Sequence, residues 1–184
     1  MDIRRVLREH YHAGLAMLVE CIEKCPDDLW TTPNPRLDDG RRIIFRSYWR
    51  IAFHTVYFTH LYLGQNEDAF QPWPGAKPGY YEGMWQKPWD IEPYEFPEDA
   101  DPISKQELLD YLFFVDDLID STVDQLDLDA PDSGFPWYEN TSKLSHQLVN
   151  VRHIQAHVGQ LSELLFARGI DTEWVTEAAK ASLV

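Results

Sequence analysis

The chain is poor in basic residues. Its 184 residues include 16 Lys and Arg against 31 Asp and Glu, so its formal net charge is −15 when histidine is neutral. Such a charge repels nucleic-acid phosphates and anionic lipids unless a local basic patch is present. The sequence shows no such patch. We therefore expect neither a nucleic acid nor a membrane as partner.

Long apolar runs are also missing. No window approaches the roughly 18 uninterrupted apolar residues of a membrane-spanning helix. The first residues, Met1-Asp2-Ile3-Arg4-Arg5, lead into an amphipathic pattern rather than into the apolar segment of a signal peptide. Both absences predict a cytoplasmic protein.

Only two cysteines are present, Cys21 and Cys25, four positions apart in a helical pattern. They could form half of a zinc site, a redox pair or two packed side chains. A tetrahedral cysteine site needs a second pair, which the chain lacks, and the expected compartment is reducing. We interpret both as packed core residues.

Two segments of the N-terminal third show the three- and four-residue apolar spacing of helices with a buried face. The first starts at Ile3 and ends at Pro26, which cannot continue a helix. The second begins after Gly40, includes Ile44 and runs to Gly64. The second helix is predicted to be the most buried, because apolar residues cover more than one of its sides.

Residues 65–103 break every helical period. Seven prolines and three glycines interrupt this stretch, and eight aromatic residues are spread through it. Aromatic residues are uncommon in disordered linkers. We therefore predict an ordered loop packed on the helices, in which several of Trp73, Tyr80, Tyr81, Trp85 and Trp89 cover a site or line the helices.

Two further helices are predicted after this loop. Ser104 and Glu107 form a capping box that opens the third, and the fourth runs from about Thr141 to Ala167, before Gly169. The outer face of the third helix is acidic, and we interpret it as solvated; its residues are Asp116, Asp117, Asp120, Asp124 and Asp127. Four long helices without strand-like alternation predict an all-α four-helix bundle that forms one domain over residues 1–184.

Polar residues form a narrow stripe along the fourth helix, at the edge of its apolar face. The stripe contains His146, Asn150, His153, His157 and Gln160. His153 and His157 are four residues apart, so both imidazoles can point at one cation. His146 lies about 10 Å further along the axis and cannot share that ion.

The second helix carries two candidates for a third ligand. His54 lies on the inward stripe, whereas His60 is about 120° away among other apolar residues. His54 is therefore the preferred ligand. Spacing alone leaves an alternative open, in which His54 is a hydrogen-bonded core residue and the other two form a half-exposed edge. On the first helix, His10 is a possible partner of the ligands and His12 is predicted to be exposed.

Two segments carry a resemblance to a known family: WRIAFHTVYFTHLYL, residues 49–63, and NVRHIQAHVGQL, residues 150–161. Both resemble the DinB/YfiT-like superfamily of metalloenzymes. The resemblance covers the helices but not the aromatic loop. It implies a four-helix bundle, often dimeric, with one histidine of the second helix and two of the last binding one ion. By this comparison the ligands are His54, His153 and His157, and the ion is zinc or nickel, with iron or manganese as alternatives.

Three neutral imidazoles leave coordination positions open, and open sites are the catalytic kind. Gln160 and Asn150, on the same stripe, are candidates to orient the ligands. Some members of the resembled family use the ion to activate a low-molecular-weight thiol such as bacillithiol, mycothiol or glutathione. The sequence thus predicts a thiol S-transferase or a related hydrolase that acts on a small molecule. The alternative is a non-catalytic bundle that forms dimers or binds partners, with a structural metal or none.

Overall fold

The computed structural model describes residues 2–32, 46–76 and 101–176, together with the backbone of residues 37–38 and 43–44. Within these ranges the chain is predominantly helical, and the predicted all-α class is confirmed. The elements are α1 (Ile3–Lys24), α2 (Asp27–Thr31), β1 (Leu37–Asp38), β2 (Ile43–Ile44), α3 (Tyr48–Leu63), a 3-10 turn (Glu67–Ala69), α4 (Lys105–Gln125) and α5 (Lys143–Phe166). The two short strands pair antiparallel. None of the helices in these ranges is long and apolar enough to cross a membrane.

The ends of the long helices follow local chemistry. The Ser104 side chain accepts a hydrogen bond from the Glu107 backbone, and the Glu107 side chain accepts one from the Ser104 backbone, so the predicted capping box is present. At the end of α5, Gly169 has a φ of 74°. This left-handed conformation lets the Ile170 N–H reach the Leu165 carbonyl at 3.1 Å. Pro26 follows α1, as predicted.

The predicted start of the second helix was wrong. The helix, α3, begins at Tyr48, and Ile44 pairs instead with Leu37 in the short ladder. Ser47 precedes the helix with an extended backbone, and serine is a favoured residue at that position. Ile43 and Ile44 continue the apolar pattern backwards, but isoleucine is equally suited to strands. Periodicity alone could not show whether Ile43 and Ile44 belong to a helix or to a strand.

The four long helices share one buried core. α1 packs against α4 and α5, and α3 packs against the same two helices. Fully buried apolar side chains from all four meet between them; they include Leu7, Tyr11, Leu15, Phe53, Tyr57, Tyr111, Ile154 and Leu161. The polar stripe of α5 therefore faces α3 across a packed seam.

Part of the aromatic loop packs on the helices as predicted. The Phe70 ring contacts the rings of Tyr57 and His60. Trp73 stacks on Tyr111 of α4, with ring centroids 5.1 Å apart. Both contacts are on the side of α3 that faces α4. The predicted contributions of Tyr80, Tyr81, Trp85 and Trp89 lie outside the described residues.

The interpretation of His12 and Asp116 as solvent-facing was wrong. Both side chains are buried, and the His12 Nδ1 atom lies 2.7 Å from an Asp116 carboxylate oxygen. The other ring nitrogen lies 3.1 Å from Asp120, which is half exposed. Burial opposes the charged imidazole, but hydrogen bonds to the two carboxylates outweigh it and raise the pKa of His12 above 6.5. His12 therefore joins α1 to α4 through hydrogen bonds to two carboxylates.

Replacement of His12 should destabilise the protein in a pH-dependent way. His12→Leu removes the His12 ring from the buried Asp116 carboxylate, so we expect a loss of about 3 kcal/mol in the free energy of unfolding. Because the folded pKa of His12 is raised, the pair contributes fully below pH 6.5 and loses that contribution as pH rises through the folded pKa. Urea unfolding at pH 6 and pH 9 should show the larger loss at pH 6.

The same change at the exposed His10 provides the control. His10→Leu should shift the free energy of unfolding by no more than about 0.5 kcal/mol. A His12→Leu loss that is equal at both pH values, or larger at pH 9, would contradict a charged histidine at this position.

Candidate metal centre

The structure brings His54, His153 and His157 together. The Nε2 atom of His153 lies 3.0 Å from the Nε2 atom of His54 and 3.0 Å from that of His157. The three potential ligand atoms all lie within 4.8 Å of one another. Tetrahedral coordination at a metal–nitrogen distance of about 2.0 to 2.1 Å separates ligand atoms by about 3.3 Å. These three histidines could therefore hold a metal ion.

The helical period explains the two ligands on α5. Residues four apart on a helix lie one above the other on the same face. The rings of His153 and His157 consequently lie side by side, with centroids 4.5 Å apart. His54 reaches them from α3, and its ring centroid lies 4.8 Å from that of His157.

A row of buried hydrogen bonds sets the register between α3 and α5. The Asn150 amide donates to the Thr59 carbonyl at 3.0 Å, and the Gln147 amide donates to the Tyr62 carbonyl at 2.9 Å. The Lys143 ammonium group donates to the Gly64 carbonyl, just past the end of α3, at 3.2 Å. Residues of increasing number on α5 pair with residues of decreasing number on α3, so the helices are antiparallel. This register places His54 opposite His153 and His157.

The three imidazoles are neutral at physiological pH. Burial, the neighbouring His153 and His157, and the positive charge of Arg46 hold the pKa of His54 well below 6.5. Burial, with His157 beside it, lowers the pKa of His153 to about 3. The pKa of His157 is lowered by burial, against a hydrogen bond to Gln160 and with a further contribution from Arg46. Neutral imidazole is the form that binds a metal.

Gln160 fixes the orientation of one ligand. Its Oε1 atom lies 2.9 Å from the Nδ1 atom of His157, so this nitrogen carries the proton and donates it. The Nε2 atom of His157 is then left with its lone pair directed at the other two histidines. Gln160 itself is exposed and His153 is half buried, so this side of the cluster is open to solvent.

The sequence did not indicate that Phe58 lies at the site or that the charge of Arg46 acts on two of the histidines. The Phe58 ring lies 4.6 Å from the ring of His54 and 6.0 Å from that of His153, and it forms an apolar wall. Arg46 is exposed and lies two residues before α3. Phe58 could have been found from its position one turn after His54; no sequence pattern indicates Arg46.

The other predicted site residues take different places. Asn150 is buried and bonded to α3, so it holds the helix pair together. His10 is exposed on α1, and no contact between it and the three histidines is recorded in the described part of the chain. His60 faces α4, where its Nδ1 atom lies 3.0 Å from the Tyr111 hydroxyl. His54, and not His60, is thus the histidine of α3 that lies beside His153 and His157.

Neither cysteine is in the ionised, accessible state that a nucleophile needs. Both are buried and unbridged. Burial raises the pKa of Cys25 to about 12 and also raises that of Cys21, whose thiol lies 3.4 Å from the Ser162 hydroxyl. A thiol reacts as its thiolate, so neither side chain is activated. Their packing agrees with the interpretation as core residues.

Comparisons of the chain with protein-family models, with curated proteins and with solved structures found no match. The resemblance to the DinB/YfiT-like superfamily therefore depends on the residues of α3 and α5 alone. The geometry of the three histidines is independent of it.

Loss of the Gln160 hydrogen bond should weaken metal binding. Gln160→Leu removes the acceptor of the His157 N–H and frees the ring to turn, so we expect the dissociation constant for zinc to rise about 10- to 100-fold. Competition with a chromophoric chelator measures this change. Gln160→Glu keeps an acceptor at the same place and should bind zinc at least as tightly as the wild type. Equal affinities for the wild type and Gln160→Leu would show that Gln160 does not position the ligand.

Proposed function

We propose that the protein is a metal-dependent enzyme in which His54, His153 and His157 bind one divalent ion. The observation that carries this proposal is the convergence of three neutral imidazole nitrogens from two helices. Zinc or nickel suits an all-imidazole set best, with iron or manganese as alternatives. The core of the protein is apolar and extensive, so folding does not require the ion.

The donor set favours a catalytic site over a structural one. Structural zinc sites are closed by four protein ligands, whereas three protein ligands leave a position open. No fourth His, Cys, Asp or Glu joins the cluster within the described residues. When bound, a divalent ion supplies a Lewis acid that favours the ionised form of a thiol or of water at neutral pH.

The residues around the cluster suit a small-molecule substrate. Phe58 provides an apolar wall beside His54 and His153, and Gln160 holds His157 in the ligating tautomer. Since Cys21 and Cys25 are buried with raised pKa values, a reacting sulfur has to come from outside the chain. The resemblance of α3 and α5 to the DinB/YfiT-like superfamily favours a low-molecular-weight thiol.

The proposed reaction is S-transfer. A carbon–sulfur bond forms between the thiol and an electrophilic carbon, the S–H proton is released, and the leaving group departs with its bonding electrons. A related hydrolase reaction would use water in place of the thiol. Hydrolysis is the alternative reaction at this site, because an open coordination position can bind either a thiol or water.

The fold assignment belongs to this proposal as well. We infer that α1, α3, α4 and α5 form a four-helix bundle of the DinB/YfiT-like type and that the protein forms homodimers. The packing of each long helix against two others supports the bundle. A contact between copies could cover the exposed apolar side chains of Leu148 and Phe166 on α5.

Activity with a supplied thiol tests the proposed function. Zinc-loaded protein is mixed with bacillithiol, mycothiol, glutathione or coenzyme A and an electrophilic acceptor, and thioether formation is followed. We expect at least one thiol to react at least about 100-fold faster with the wild type than with His153→Ala, because this variant loses a ligand. Circular dichroism checks that the variant keeps its helices.

His60→Gln is the matched control, because His60 is a buried histidine on the same helix as His54 but faces α4. It should keep the wild-type rate. Equal rates for the wild type and His153→Ala with every thiol would rule out S-transfer at this site. The hydrolase and a non-catalytic bundle would then remain.

A further inference from the structure

The outer face of α5 is a row of six exposed residues. At 100° per residue they lie within about 80° of one another around the helix. They are Leu148, Arg152, Ala156, Gly159, Glu163 and Phe166. The row is on the side of the helix opposite Ile154 and Leu161, which are buried in the core. Leu148 is 48% exposed and Phe166 is 65% exposed, so α5 presents a large apolar side chain to solvent towards each end of the row.

The row carries one positive and one negative side chain. Within the described ranges, neither Arg152 nor Glu163 has a side-chain hydrogen bond or an ion pair. The two residues are about 16 Å apart along the axis and cannot pair with each other in one chain. Two copies of a chain with a formal net charge of −15 repel each other over most of their surfaces. A row without net charge is a place where two copies can meet.

The order of residues in the row is self-complementary. Ala156 and Gly159 lie on either side of its midpoint. Arg152 and Glu163 lie about 8 Å from this point, in opposite directions. The two large apolar residues lie about 13 to 14 Å from it, again in opposite directions. A second α5 that crosses antiparallel at the midpoint therefore brings Arg152 of each copy opposite Glu163 of the other, as a two-fold axis requires.

Gly159 lies at this crossing point, in the interior of the helix. A methyl group at this position would contact no atom within 4 Å among the described residues. Glycine is a poor helix former, and the packing of a single chain gives no reason for it here. The absence of a side chain does let the backbone of a second helix approach closely.

We propose that the outer face of α5 is the interface of a two-fold symmetric homodimer, in which the two α5 helices cross antiparallel at Ala156 and Gly159. The inference rests on the homodimer of the proposed function and assigns its contact surface. Arg152 of each copy pairs with Glu163 of the other, and the large apolar side chains at the ends of the row cover one another. Exposed ion pairs contribute little affinity, so apolar burial holds the copies together and the ion pairs fix the register.

Charge reversal tests this register. Arg152→Glu and Glu163→Arg each place like charges opposite one another at two symmetric contacts, so each should raise the dissociation constant of the dimer at least about tenfold. Both residues are exposed, and the variants should keep the helical circular dichroism of the wild type. Sedimentation equilibrium over a series of protein concentrations measures the dissociation constant.

An equimolar mixture of the two variants provides a rescue. In the mixed dimer, position 152 of one variant faces position 163 of the other, and both contacts again join opposite charges. The mixture, and the double variant Arg152→Glu/Glu163→Arg, should dimerise within about threefold of the wild-type dissociation constant. Arg5→Glu is the control, because it makes the same change in net charge at an exposed arginine of α1. It should keep the wild-type constant.

The outcomes separate the interface from the other proposals. A wild type that stays monomeric at every concentration would overturn the homodimer, and this interface with it, whereas the metal site depends on neither. Single variants that dimerise as tightly as the wild type would overturn the interface and leave the homodimer standing. Single variants that stay monomeric when mixed would show that positions 152 and 163 do not face each other, which contradicts the antiparallel crossing.

Discussion

The antiparallel register of α3 and α5 is the constraint on which the candidate site depends. Three buried side chains of α5, Lys143, Gln147 and Asn150, donate to carbonyl groups at the C-terminal end of α3. A shift of one helix along the other would break all three contacts at once. Each amide or amine left unpaired in the core would then cost on the order of 1 to 3 kcal/mol. The histidines lie about one to two turns further along the same seam. Their meeting is a consequence of this register.

The presence or absence of nearby carboxylates separates His12 from the three clustered histidines in the direction of their pKa shifts. His12 lies between Asp116 and Asp120, its pKa is raised, and its hydrogen bonds to the two carboxylates join two helices. His54, His153 and His157 lie against one another, with Gln160 bonded to His157 and Phe58 packed beside His54, and their pKa values are lowered. A protonated imidazole has no lone pair to offer, whereas three neutral ones do. The same residue type therefore stabilises the fold in one seam and offers metal ligands in another.

Much of this arrangement could be predicted from the sequence, because helical periodicity reports which residues share a face. The four-residue spacing of His153 and His157, and the position of His54 on the inward stripe, are properties of single helices. Contacts between helices are not encoded in this way. His12 and Asp116 are 104 residues apart, and each lies at the edge of an apolar face. The apolar pattern of one helix therefore does not show that the two side chains face each other.

The central claim is that imidazoles, and not thiols or carboxylates, bind the ion. X-ray absorption at the zinc edge of untagged, zinc-loaded protein measures this most directly. We predict three imidazole nitrogens at about 2.0 to 2.1 Å, with the outer-shell scattering of the rings, and one further light atom. A sulfur scatterer at about 2.3 Å, which would indicate Cys21 or Cys25, or a shell without imidazole scattering, would contradict the account.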